Sequence, residues 1–224
     1  MTMAIGMFEL AVVDYRSALL AGLLLTLQVS VIGMIGSIAV GLAGAATITL
    51  RIPGLRQVTK IYVEFIRNTP LLVQIFFLFY VLPTLGLTLS AYTVGCVSLV
   101  IWGGAYNVEN FRAGLGAVGS GHQEAARALG FSNWRTFTCV TAPIGLRLSI
   151  PGLTNTLISV LKNSALMLGI GLAELTSVVQ RLSAETFRSV ELYVTLGVIY
   201  LLLVLFMSIG MHFISRRYGL EAGV

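Results

Sequence analysis

Leu201-Leu202-Leu203-Val204-Leu205-Phe206 carries no polar side chain. A helix of a soluble bundle turns a polar face to water at every turn, so this stretch needs an apolar solvent. It lies in a charge-free run bounded by Glu191 and Arg216, and similar runs separate Arg16 from Arg51 and Arg67 from Glu109. Roughly 20 apolar residues cross the bilayer hydrocarbon as one helix. The first and last runs therefore hold one crossing each. The middle run holds two, joined at the turn signal Pro83-Thr84-Leu85-Gly86. A further crossing is interrupted only by Lys162. The expectation is an all-α integral membrane protein, a single transmembrane domain over 1–224 with five helices at 17–49, 60–81, 89–112, 149–171 and 190–213. The apolar runs do not alternate, which excludes barrel strands.

Composition agrees. Of 224 residues, 57% are hydrophobic and 10% charged, against about 25% charged in a soluble domain. Disorder, a small soluble enzyme and nucleic-acid binding are poor readings, since 14 basic residues spread along the whole chain form no dense patch. Membrane lipid is the expected surrounding. With the N-terminus outside, the inside segments carry Arg51, Arg56, Lys60, Arg127, Arg135, Arg147, Arg216 and Arg217, and the outside ones carry Arg16, Arg181 and Arg188. That asymmetry favours N-out, C-in. The first apolar run is too long for a cleaved signal peptide and no basic region precedes it. Cys96 and Cys139 fall in different settings and do not pair, and His122 and His212 suggest no metal site. No nucleophile lies near a base, so no catalytic residue is assigned.

The inside segment 113–148 is too long for a turn and too polar for the bilayer. Ser120-Gly121-His122-Gln123 reads as a capping box, Glu124 to Leu129 has high helix propensity, and Gly130 supplies a left-handed stop. A short helix with a small, alanine-lined surface suits docking into a partner's groove. A capped surface helix with no partner is the plainer reading.

Here the chain resembles the permease subunits of ABC importers. Glu124-Ala125-Ala126, Gly130, Val140 and Pro143 match the family's E-A-A-x3-G-x9-I-x-L-P signature, with Val140 for Ile and Ala142 for Leu. Tyr62 to Gln74, with Arg67-Asn68-Thr69-Pro70-Leu71-Leu72-Val73-Gln74 at its end, is similar to the FR-x-TPLLVQ segment of polar amino-acid permeases. Ala105-Tyr106 with Glu109 and Arg112, and Leu161-Lys162-Asn163-Ser164, are similar to two more of their motifs, in the right order.

The resemblance implies a type I ABC importer permease fold in a bacterial inner membrane, with a cytoplasmic coupling helix between spans 3 and 4. Glu124, Ala125, Ala126, Arg127, Leu129, Gly130 and Pro143 would dock on the ATPase. It also implies an ABC ATPase dimer carrying ATP and magnesium, an extracytoplasmic substrate-binding protein, and a second permease chain, identical or a sister. The sequence has no G-x-x-x-x-G-K-[ST] phosphate loop, so the chain needs no cofactor of its own and no P-loop enzyme activity is expected.

Polar groups inside spans are costly unless they face a cavity or a partner, so each is a functional candidate. Pro70 frees backbone groups near mid-membrane, beside Arg67, Asn68, Thr69 and Gln74, as in the broken helices where transporters bind zwitterions. Glu109 suits a substrate ammonium or, alternatively, pairs with Arg112 at i+3. Lys162, Asn163 and Ser164 form a second cluster expected to share that cavity. Many relatives carry Asp where Asn163 stands, and the missing carboxylate, beside Arg67 and Lys162, favours acidic amino acids such as glutamate and aspartate. Glutamine, histidine, arginine or lysine, and cystine are the alternative substrates. A channel or secondary transporter working without an ATPase is the alternative class.

Overall fold

The structure is a computed structural model that describes residues 13–217, and all regular elements among them are helical. The segment ahead of the first span, on which the signal-peptide reading partly rests, and both ends of the expected 1–224 domain fall outside the described residues.

Helix α1 covers Arg16–Thr49 and α2 covers Leu55–Arg67. Helix α3 (Leu71–Phe76) continues through a π-helical turn, Phe77–Val81, and a 3-10 turn, Leu82–Leu85. That turn ends on Gly86 at φ 89, where the turn signal lies. Helix α4 is Ala91–Gly116, α5 Ser120–Ala128 and α6 Asn133–Thr136, which passes through the π-helical turn Phe137–Thr141 into α7, Ala142–Leu148. Helix α8 is Ile150–Asn163, tightened to a 3-10 helix over Ser164–Ile170; α9 is Leu175–Thr186 and α10 Ser189–Arg217.

Three stretches are long and apolar enough to cross a membrane: Arg16–Thr49, Ile150–Ile170 and Ser189–Arg217. Leu55–Arg67 and Leu71–Leu85 qualify only together, as one broken span or a re-entrant loop. The predicted third span, 89–112, falls on α4, which has the length but is not among them. Asn107, Glu109, Asn110 and Arg112 make its last third polar. The charge-free run ending at Glu109 had hidden Asn107, a neutral polar residue.

The chain divides into two compact units. The first contains the chain up to Ile35, Thr69–Val100 and Ile158–Met207; the second contains Gly36–Asn68, Ile101–Leu157 and the chain from Ser208. In the first unit Leu175, Val178, Val179 and Leu182 of α9 pack with Leu19 of α1 and with Leu192 and Leu196 of α10. Helix α9 thus buries one apolar face, although its segment reads as a short outside connection in the sequence. Glu174 caps it: the fully buried carboxylate accepts from the backbone N–H groups of Thr176 and Ser177 at 2.9 and 2.8 Å. An acid at a helix N-terminus also complements the helix dipole.

In the second unit a line of buried and half-buried amides and hydroxyls joins helices. Asn110 Nδ2 donates to Thr156 Oγ1 at 2.8 Å and to Asn107 Oδ1 at 3.1 Å. Asn107 Nδ2 in turn donates to Ser37 Oγ. A Cβ on Gly41 would collide with Asn107, so the glycine is what lets α1 and α4 come this close.

Candidate functional site

The second unit holds a cleft of about 500 Å³ lined by α2 and α4. Lys60, Val63, Glu64, Arg67 and Asn68 line it from α2 and its C-cap, and Tyr106 and Glu109 from α4. Residues 60, 64 and 67 are spaced by four and three, so one helical face carries cation, anion and cation. Tyr106 and Glu109 are likewise three apart and share a face.

Several contacts fix these groups. The Tyr62 hydroxyl donates to the Ile101 carbonyl at 2.5 Å and ties α2 to α4. The Arg67 guanidinium lies over the Tyr106 ring, 5.1 Å from its centroid, and Tyr106 meets Trp102 at 4.5 Å between ring centroids. An arginine on an aromatic face keeps its N–H fork available in the ring plane. Glu109 Oε2 accepts from Arg112 Nε at 3.0 Å and from Nη2 at 2.5 Å, so the i+3 pair is formed while Glu109 also lines the cleft. The lining carries two cationic and two anionic side chains and has no net charge.

Thr69 and Gln74 sit at the break between α2 and α3. Helix α2 ends at Arg67, and its C-cap Asn68 donates both its backbone N–H and its side-chain amide to the Glu64 carbonyl, at 3.1 and 2.8 Å. Pro70, with φ −62 and ψ 133, is extended and starts α3. Gln74 Nε2 reaches back to the Thr69 hydroxyl at 2.7 Å and to the Thr69 carbonyl at 3.1 Å. The side chain one turn inside α3 thereby satisfies polar groups of the residue that precedes the proline.

Lys162, Asn163 and Ser164 lie in the first unit and are not among the residues lining this cleft. They stand where α8 tightens into its 3-10 turn. Lys162 is exposed and Asn163 half-buried, while Ser164 is fully buried with its hydroxyl donated to the Leu161 carbonyl at 2.7 Å. Of the eight residues expected around substrate, Arg67, Asn68 and Glu109 are brought together by one cleft. Sequence reasoning missed Lys60, Glu64 and Tyr106, although the i, i+4, i+7 spacing of Lys60, Glu64 and Arg67 was a usable signal.

The inside segment forms its short helix, with a different start from the one expected. Ser120 is the first residue of α5, the N-cap is Gly119, and no side chain caps it. The helix begins one residue earlier than a capping box requires, so Ser120 is not the N-cap and caps no backbone N–H. The stop is as expected. Gly130 has φ 82, its N–H donates to the Arg127 carbonyl at 2.9 Å, and the Phe131 N–H donates to the Ala126 carbonyl at 3.1 Å. These two bonds form a Schellman motif. Ala126 is buried, and Glu124, Ala125, Arg127, Leu129 and Gly130 are exposed. Leu129 at 79% and Trp134 at 64% relative exposure are large apolar groups in one short stretch, and only Leu129 was anticipated. Arg135 lies over the Phe131 ring at 4.9 Å. Pro143 is the second residue of α7, directly after the π-helical turn Phe137–Thr141. Among the described residues no cluster of three His, Cys, Asp or Glu side chains is arranged to hold a metal.

Comparison with known proteins fits this arrangement. Residues 37–220 match the family described as binding-protein-dependent transport system inner membrane component. The glutamine transport system permease protein GlnP of Escherichia coli K12 is 34% identical over 201 residues, covering 89% of this chain and 92% of that protein. The L-cystine transport system permease protein TcyB of Bacillus subtilis is 31% identical over 211 residues, covering 94% and 90%. The crystal structure of an amino acid ABC transporter with histidines superposes at a TM-score of 0.88, with 33% identity, covering 93% of this chain and 97% of that one. An inward-facing MetNI methionine ABC transporter shares the fold at a TM-score of 0.77 and 18% identity, covering 92% and 98%. Such permeases are inner-membrane components, not enzymes; ATP hydrolysis belongs to a separate subunit, and a binding protein delivers the solute. The chain belongs to the binding-protein-dependent transport system inner membrane component family, as a permease subunit of a polar amino-acid ABC importer.

Proposed function

We propose that this permease passes a neutral polar amino acid, glutamine first and cystine second, delivered by an extracytoplasmic binding protein. The observation that carries this reading is the charge balance of the cleft, where Lys60 and Arg67 face Glu64 and Glu109. An amino-acid backbone is itself a zwitterion, and a lining of matched charges holds it without favouring a charged side chain. Arg67 takes the carboxylate and Glu64 and Glu109 the ammonium. The glutamine and cystine permeases similar to this chain support the same choice. The acidic substrate that Asn163 had suggested has weaker support, because Asn163 is not among the residues lining this cleft.

The chain works as one of two permease subunits, identical or paired with a sister, on an ATPase dimer that holds ATP and magnesium. It spans the bacterial inner membrane five times, N-out and C-in, with α2 and α3 forming one broken crossing and α4 another despite its polar end. Helix α5, with Glu124, Ala125, Arg127, Leu129 and Gly130 at its surface and Pro143 supporting α7, docks on the ATPase.

The test is uptake into vesicles containing the reconstituted complex and its cognate binding protein, with unlabelled amino acids competing against labelled glutamine. Competition by glutamine or cystine, with little by glutamate or aspartate, is expected. Dominant competition by aspartate would restore the acidic reading, and dominant competition by lysine would overturn both.

A further inference from the structure

A second cavity, in the first unit, shares no lining residue with the cleft between α2 and α4. It is a groove of about 440 Å³ between α1 and α10, lined by Leu20 and Leu23 on one helix and by Val198 and Ile199 on the other. Two polar residues reach it. Thr195 donates its hydroxyl to the Glu191 carbonyl at 2.8 Å and so presents a methyl group. Arg16 stands at the end where both helices begin, and among the described residues its guanidinium makes no hydrogen bond or ion pair. Two acids lie at that end. Asp14 faces Arg188 at 3.8 Å, and Glu191, one turn before Thr195, is not part of the lining. The groove runs about 10 Å along α1 from Arg16 to Leu23, at ~1.5 Å per residue. It opens onto further apolar surface, since Leu24, Leu201, Leu202, Leu205 and Phe206 are all exposed.

An apolar channel with one cation at its membrane-interface end matches an amphiphile with an anionic head and a hydrocarbon tail. The guanidinium fork fits a phosphate better than any neutral headgroup. We propose that this groove binds a membrane phospholipid, with an acyl chain along Leu20, Leu23, Val198 and Ile199 and the phosphate on Arg16. The inference rests on the membrane setting and is independent of which amino acid is carried.

The probe is phosphatidylglycerol with a photoactivatable acyl chain, compared with diacylglycerol carrying the same chain, in nanodiscs of the whole transporter complex. Labelled peptides are located by mass spectrometry. Phosphatidylglycerol is expected to label the 19–23 and 195–199 segments roughly fivefold more than diacylglycerol, the preference one basic residue confers near an anionic headgroup. Arg16→Gln abolishes the excess and Arg16→Lys keeps most of it. Leu20→Trp fills the groove and lowers labelling by both probes, which tests the site even where an Arg16 variant assembles poorly. Equal labelling by the two lipids, or an excess that survives Arg16→Gln, overturns the proposal. So does a disulfide between two Leu20→Cys permeases that excludes both probes, because a second copy then covers the groove.

Discussion

The side-chain amide of Asn107 donates to the hydroxyl of Ser37 at 3.1 Å, and both residues are fully buried. Removing Ser37 takes this acceptor from the buried Asn107 amide. Ser37→Ala is expected to cost about 1 kcal/mol, since polar pairs between membrane helices average about 0.6 kcal/mol and an orphaned buried group costs more. Gly41→Ala should cost more than Ser37→Ala, because its methyl would displace Asn107. Thermal unfolding in detergent of the single variants and of Ser37→Ala with Asn107→Ala measures the coupling, and additive losses would refute it.

Gly130→Val is expected to uncouple transport from ATP hydrolysis without harming insertion. A Cβ at Gly130 meets nothing within 4 Å, so the penalty is entirely the left-handed backbone at φ 82, about 1–2 kcal/mol for a residue with a side chain. The measurement is ATPase activity stimulated by the loaded binding protein. Full stimulation in the variant would remove Gly130 from the docking surface.

The bond from Gln74 to Thr69 should matter more for transport than for assembly. Gln74→Leu leaves the Thr69 hydroxyl and carbonyl without the amide at the helix break. Uptake is expected to fall roughly tenfold, which is about 1.4 kcal/mol in the transport barrier, while the complex still purifies intact. Thr69→Ser keeps the hydroxyl and should retain most of the activity.

Charge balance in the cleft predicts opposite selectivity changes. Glu64→Gln leaves Lys60 and Arg67 in excess and is expected to admit aspartate as a competitor. Arg67→Gln should raise the concentration of glutamine needed for half-maximal uptake. Competition profiles of both variants provide the check, and identical profiles would detach the cleft from selectivity.

Glu174 tests the architecture independently of transport. Glu174→Ala removes the acceptor for the Thr176 and Ser177 N–H groups and should lower stability by about 1–2 kcal/mol, as N-cap losses do. A melting temperature unchanged in Glu174→Ala would show that α9 needs no cap.

The sequence displayed some of this plainly and obscured the rest for physical reasons. Arg16, Arg51, Glu191 and Arg216 bound helices that emerge nearly where expected, because a long apolar helix is dictated by the solvent around it. The left-handed Gly130 was legible because a glycine after a strong helix former has few other uses. Ser120 misled, since a serine three residues before Gln123 has the same pattern whether it precedes the helix or begins it. Helix α9 was missed because its apolar face is short and is buried by α1 and α10, residues distant in sequence. Asn107 and Asn110 went unassigned because the span was read from its charges, and their partners Ser37 and Thr156 come from other helices, which no local pattern names. At the candidate site the α2 motif led to Arg67 and Asn68, and it left Glu64 and Lys60, one and two turns earlier on the same face, unassigned to the site.

The exposed indole of Trp134 has a practical use. The protein has two tryptophans, and the other, Trp102, is half-buried against Tyr106. Replacing Trp102 with phenylalanine leaves Trp134, near the short helix α5, as the single tryptophan, which can be excited selectively over the tyrosines. Its emission should shift to the blue when a protein surface excludes water from it, which gives an optical titration of ATPase association with the unlabelled permease.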